Sequence, residues 1–201
     1  MIITGLEPKE KGKYKVYIDE EYHFVLYYKD LQKYKLDQGT EISGEIYRDI
    51  YLNTVLRRGK QKAVAILKYM DRTKQELILK LKQADYSDKV IEEVLTYVVK
   101  FHFIDDSRYA ENYIRSRRDK KSKRQIITEL SGKGIDKSLI DEVLLEEYDS
   151  EAEALKKAIE KKFKNAKDLT KEERIKFASS LYRKGFQMDL IRKYVYDDDY
   201  N

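Results

Sequence analysis

Cysteine is absent from this 201-residue chain, which removes disulfides, thiolate catalysis and cysteine-ligated zinc together. Proline occurs once, as Pro8, so almost nothing interrupts helices beyond the N-terminus. No apolar run approaches the roughly 20 residues needed to span a bilayer, and residues 1–12 lack the apolar centre of a signal peptide. The expectation is a cytoplasmic protein with no membrane partner. There are only two histidines, His23 and His102. They stand far apart, and neither has a partner at metal-ligand spacing. His102, beside Phe103, reads as a partly buried helix-end residue. Gly132-Lys133-Gly134 lacks the rest of a phosphate-binding glycine pattern and falls at a helix end. Asp105-Asp106 precedes Ser107 and a helix, so capping explains the pair better than metal binding. No catalytic set, metal or cofactor is assembled, and the chain is not expected to be an enzyme.

What the chain does contain is one apolar pattern written three times. Leu77, Ile78, Leu81, Tyr86, Val90, Ile91, Val94 and Leu95 recur 49 residues on as Ile126, Ile127, Leu130, Ile135, Leu139, Ile140, Val143 and Leu144. A further 51 residues on they become Phe177, Ala178, Leu181, Phe186, Leu190, Ile191, Tyr194 and Val195. A period of this length marks stacked supersecondary units, which usually build a binding surface rather than a catalytic pocket.

Each repeat reads as three helices: 60–70, 74–83 and 88–101 in the first, 107–118, 123–133 and 137–147 in the second, and 151–165, 171–184 and 188–196 in the third. The middle helices are punctuated alike. Thr73 with Glu76, Ser122 with Gln125, and Thr170 with Glu173 fit the capping box. Gly134 and Gly185 follow the middle helix, where a left-handed residue closes it at little cost, and Asp85 holds that place in the first repeat. A ten-residue middle helix spans only ~15 Å and is marginal alone, so each trio must bury a small core and stack on its neighbours.

The N-terminal part differs. Tyr14–Ile18 and Tyr22–Tyr28, separated by Asp19-Glu20-Glu21, read as a β-hairpin, extended to a meander by Ile2–Leu6. A short helical turn follows from Asp30, then a break at Gly39. A helix from Glu41 to about Arg57, with Ile42, Ile46, Ile50 and Leu52 near helical spacing, leads into the repeats. The expected fold is mainly α: three tandem three-helix repeats in an elongated, curved array. The divisions are 1–58 for hairpin and helix, 59–106, 107–149 and 150–196 for the repeats, and 197–201 for an acidic tail.

The formal net charge of +5 is unevenly placed. Seven of the ten residues 115–124 are basic: Arg115, Arg117, Arg118, Lys120, Lys121, Lys123 and Arg124. Residues 57–74 carry seven more, including Arg57, Arg58, Lys60 and Lys62, against the one acid Asp71. Acids gather at 141–153 and 197–199. Such asymmetry points to a polyanion or an acidic protein groove, with solvated helix faces as the plain alternative. The candidate interface cations are Arg115, Arg117, Arg118, Lys121, Lys123 and Arg124, with Arg57, Arg58, Lys60 and Lys62 as a second patch. A cluster of this kind neutralises phosphates without reading sequence. Tyr109 and Tyr113 have the spacing to stack on bases, but that spacing more often packs a repeat.

Phe103-Ile104-Asp105-Asp106-Ser107-Arg108-Tyr109-Ala110, followed by Tyr113, Arg117, Gln125, Leu130, Lys133, Gly134 and Ile135, resembles the signature of the RecX regulatory proteins, bacterial modulators of the RecA recombinase. Arg72-Thr73, Glu76-Leu77 and Lys80-Leu81 are similar to the same pattern. The resemblance covers residues 60–196. Asp85 stands where the family more often has glycine, and the N-terminal region resembles a variable extension. The resemblance implies a protein that lies along the groove of the RecA–DNA filament and restrains its assembly or activity, with no catalysis of its own; a monomer is expected. Direct, non-specific nucleic-acid binding through the basic face is the alternative.

Overall fold

The computed structural model describes residues 1–148, 150–162 and 169–196. The expected acidic tail lies outside them; the third repeat's first helix, expected to run to residue 165, ends at Glu160, where residues 161 and 162 form a turn. Packing divides the chain into two compact units, Met1–Asp105 and Asp106–Asn201.

The first unit opens with an antiparallel meander, β1 (Ile3–Lys9), β2 (Lys13–Ile18) and β3 (Glu21–Tyr27). The turn between β2 and β3 is the two residues Asp19 and Glu20, both at positive φ (48° and 73°), and Glu21 already pairs with Ile18. The Asp19 side chain accepts from the Ile2 amide at 2.8 Å, which ties this turn to the chain start. Val16 and Ile18 alternate with Lys15 and Tyr17, as the period of a half-buried strand requires, and they bury with Phe24 and Leu26.

Helix α1 (Tyr28–Tyr34) follows directly, then α2 (Gly44–Asp49), capped by Ser43. The sequence places the start of this helix at Glu41. In the structure Glu41 instead bridges Ile2 in antiparallel fashion, so the helix starts three residues later. It then passes through a π-helical stretch, Ile50–Leu56, into α3 (Arg57–Tyr69) without leaving helical backbone angles. Ile50, Tyr51, Val55 and Leu56 are buried along it, while Leu52, expected on that face, is exposed, because two residues beyond Ile50 is the opposite side of the helix at either the α or the wider π pitch. α4 (Lys74–Gln83) and α5 (Asp88–Lys100) complete the first repeat. Gly59 permits the close crossing of α3 on α5, since a Cβ there would lie 2.9 Å from Val94 Cγ2.

The first repeat does not keep a core of its own. One apolar cluster runs from Ile3 through Phe24 and Ile50 to Leu77, Val94 and Ile104. Two polar locks reinforce it. Asp30 accepts from the Tyr27 amide at 2.9 Å, closing a capping box, and is gripped by both guanidinium nitrogens of Arg58, which also lies over the Tyr27 ring at 5.0 Å. Asp85 sits at φ 66°. Its carboxylate pairs with Lys9 at 2.6 Å and its carbonyl accepts from the Tyr22 hydroxyl. The residue that replaces glycine in this repeat is thus the one the sheet holds. His102, read from sequence as partly buried, is exposed at φ 54° in the turn after α5, and Ile104 is buried in its stead.

The second unit contains α6 (Asp106–Arg117), α7 (Lys123–Gly132), α8 (Lys137–Glu147), α9 (Ala152–Glu160), α10 (Lys171–Arg183) and α11 (Met188–Val195). Here each repeat does have its own core, around Ile126, Leu130 and Ile140 in one and Phe177, Leu181 and Ile191 in the other. All three capping boxes form as the sequence indicates.

Candidate functional site

The basic cluster occupies the end of α6, the turn at residues 118–121, and the first turn of α7. Several of its cations already have partners. Arg115 Nε donates to Glu147 Oε2 at 2.7 Å, a second guanidinium nitrogen reaches the other carboxylate oxygen, and Glu111 stands 3.6 Å away. Arg118 donates to the Glu147 carbonyl at 3.1 Å. The Glu147 hydrogen bond raises the Arg115 pKa, and Glu147 is correspondingly held low, first by Arg115. Lys121 pairs with Glu129, which also accepts from the Tyr113 hydroxyl at 2.6 Å. Burial pushes Glu129 up, but Lys121 and Tyr113 outweigh it and the carboxyl sits below its ordinary value. Burial and then Glu129 push the Tyr113 phenol up to about 12.

Tyr109 and Tyr113 stack on each other at 6.2 Å against the second repeat's core, which fits packing rather than base stacking. Among the described residues Arg117, Lys120, Lys123 and Arg124 have no carboxylate partner within ion-pair distance; Arg117 lies over the Tyr113 ring.

The junction of the second and third repeats gives this cluster a neighbour that sequence reasoning missed. Ser122, the buried cap of α7, accepts from the Gln125 amide and donates its own proton to the Lys184 carbonyl at 2.7 Å. Buried Glu151 accepts from the amides of Lys123 (2.6 Å) and Gln187 (3.2 Å), so one carboxylate serves the starts of α7 and α11. Gly185, at φ 89°, faces the Arg124 side chain so closely that a Cβ would lie 2.8 Å from Arg124 Cβ. This joint draws Arg183 and Lys184 beside Arg124 along an open groove of about 440 Å³, floored by Thr128 and flanked by Tyr182. The Arg183-Lys184-Gly185 run was visible in the sequence, but its docking against Arg124 depends on tertiary contact.

The second patch divides. Arg58 is committed to Asp30. Arg57 and Lys60 line an open groove of about 450 Å³ with Lys68 and Tyr97. Lys62, five residues beyond Arg57, lies about 140° around the helix from it and is exposed away from that groove. Among the described residues no three or more His, Asp or Glu side chains are grouped to hold a metal ion, and no helix is long and apolar enough to cross a membrane.

Tandem three-helix units with cation-lined open grooves define a helical-repeat protein. Three family models match it in order: the first three-helix domain of RecX at residues 60–97, the second at 105–144 and the third at 149–195. The chain is 34% identical over 189 residues to "Regulatory protein RecX" of Clostridium acetobutylicum, covering 91% of this chain and 88% of that one. It is 30% identical over 200 residues to the protein of that name from Finegoldia magna, covering 96% and 98%. Two solved structures are similar. One is described as the crystal structure of regulatory protein RecX (TM-score 0.66, 26% identity, 98% of this chain and 99% of that one). The other is RecX from Lactobacillus salivarius (TM-score 0.60, 28% identity, 70% and 94%). The chain belongs to the RecX family of regulatory proteins.

Proposed function

We propose that this chain regulates the RecA recombinase: it binds RecA or the RecA–DNA filament in the cytoplasm and restrains filament assembly, ATP turnover and recombination, without catalysis of its own. Membership of the RecX family along nearly its whole length carries this reading. The surface is compatible with it. Arg117, Lys120, Lys123 and Arg124, with Arg183 and Lys184 across the groove, concentrate positive charge on a firmly braced part of the second unit. Linked repeats touching successive protomers of a helical polymer would gain affinity through high effective concentration. Arg115, Arg118 and Lys121 contribute to the same face only by yielding their internal partners, so Arg117, Lys123 and Arg124 are the stronger candidates.

The test is RecA's DNA-dependent ATPase and strand exchange with this protein titrated in. Inhibition is expected at sub-stoichiometric to stoichiometric ratios. It should weaken when Arg117 and Arg124 are changed to Glu. No effect of the unaltered protein at a one-to-one ratio would overturn the reading.

A further inference from the structure

The third repeat leaves an apolar groove of about 640 Å³ open between α10 and α11. Ile175 and Tyr182, 51% and 54% exposed, stand two turns apart on one side of α10. Met188 and Tyr196 line the groove from α11 and its end. Ile175 and Ser179 correspond, 51 residues on, to Arg124 and Thr128, which in the second repeat run along the edge where the third packs. The counterpart of that edge on the third repeat carries Ile175 in place of the arginine and stands open. Arg183 and Arg192 rim it, and among the described residues neither has a carboxylate within ion-pair distance.

A complementary feature stands on α8 of the same unit. Leu145 projects from that helix, 82% exposed. Asp141 and Glu142 lie one turn before it and Glu146 beside it, all exposed. Glu147 is committed to Arg115, but among the described residues Asp141, Glu142 and Glu146 have no cation within ion-pair distance. An apolar tip set among three unpaired acids thus matches an apolar groove rimmed by two unpaired arginines.

We propose that the α10–α11 groove of one molecule receives the Leu145 corner of α8 from a second copy of this chain, with Asp141, Glu142 and Glu146 facing Arg183 and Arg192. Both kinds of surface select that occupant. A nucleic acid would satisfy the arginines but leave Ile175 and Met188 without apolar contact. A segment with neutral or basic flanks would leave the arginines unmet and repelled. The contact joins two different surfaces of one chain, so each can be disabled while the other is kept. One leucine and a few rim ion pairs make a small interface of the weak, transient class. The expected monomer therefore becomes a reversible, concentration-dependent assembly. This proposal is independent of the RecA reading, and its test contains no RecA.

Sedimentation velocity of the full chain is followed from micromolar to near-millimolar concentration. The weight-average sedimentation coefficient should rise with concentration, and rise less at high salt. L145E and, separately, I175E/M188E should each weaken association by about tenfold or more. Mixed in equal amounts, these two variants should associate with each other, because one keeps the groove and the other keeps the α8 corner. A charge swap is the sharper form: R183E/R192E and D141K/E142K should each stay monomeric alone and assemble when mixed. Circular dichroism checks that every variant is folded. Three outcomes would overturn the proposal: a monomer at all concentrations, association unchanged in L145E or I175E/M188E, or folded charge-swap variants that remain monomeric together. A groove that serves some other protein would give the first of these.

Discussion

Changing Glu151 to Ala tests how the second and third repeats are held together. The carboxylate accepts two backbone amides, from Lys123 at 2.6 Å and Gln187 at 3.2 Å, and is only 5% exposed. A hydrogen bond to a charged group contributes about 1.5–3 kcal/mol, and a buried donor left unpaired costs about 1–3 kcal/mol. The Gln187 bond is the longer, and water can reach a vacated site in part. A destabilisation of about 2–4 kcal/mol is therefore expected, measured by urea unfolding followed by circular dichroism. Glu151→Gln keeps one carbonyl oxygen as acceptor and should cost about half as much. Amide exchange gives a sharper reading. Lys123 opens its helix and has no partner within it, so in Glu151→Ala its amide should lose protection together with Gln187, while amides of α4 in the other unit keep theirs. An unchanged urea midpoint with unchanged protection at Lys123 would refute the assignment of Glu151 as the bridge.

Gly185→Ala should destabilise the second unit by at least about 2 kcal/mol, from the left-handed backbone penalty plus the clash with Arg124, and urea unfolding would show it. At Asp85, which shares that backbone region, replacement by Gly should be milder than replacement by Ala by about 1 kcal/mol, because both lose the Lys9 pair but only Ala keeps the strain; equal costs would contradict it. Asp30→Asn should cost about 2–3 kcal/mol at neutral pH by breaking a largely buried pair that keeps some solvent screening on the Arg58 side. Burial pushes Asp30 up, but Arg58 and the Tyr27 amide outweigh it, so its folded pKa lies below the unfolded one. Its contribution is complete above the unfolded value, about pH 4, and is lost as pH falls through the folded value. The gap between wild type and Asp30→Asn should accordingly close on acidification, as unfolding midpoints across pH would record.

The repeat and its punctuation were legible because both are local. Eight apolar positions per unit and a Ser or Thr three residues before Glu or Gln are enough to mark a core face and a helix start, and helix limits mostly fall within a residue or two of expectation. Features set by distant partners were not legible. Arg115 and Glu147 are 32 residues apart, so charge density alone could not reveal that part of the basic cluster is internally paired. Leu52, expected inside, stands two residues beyond buried Ile50 and so faces away from it, and Tyr51 is buried instead. Asp85 looked like a departure from glycine until Lys9 and Tyr22 were seen to hold it.

The bond from Ser122 to the Lys184 carbonyl places the start of α7 against the end of α10. Helix starts carry partial positive charge and favour acids. α4 and α10 follow that preference with Glu76 and with Glu172 and Glu173, whereas α7 opens on Lys123 and Arg124 with no acid in its first turn. The carbonyl end of α10 and the Glu151 carboxylate supply the missing negative potential from outside the helix. Electrically, α7 and α10 meet head to tail, and the repulsion that Lys123 and Arg124 would face on an isolated helix is compensated at the joint. Separating the third repeat would therefore do more than expose apolar surface: it would leave two cations at an uncompensated positive pole, so the basic face and the seam between these repeats depend on each other.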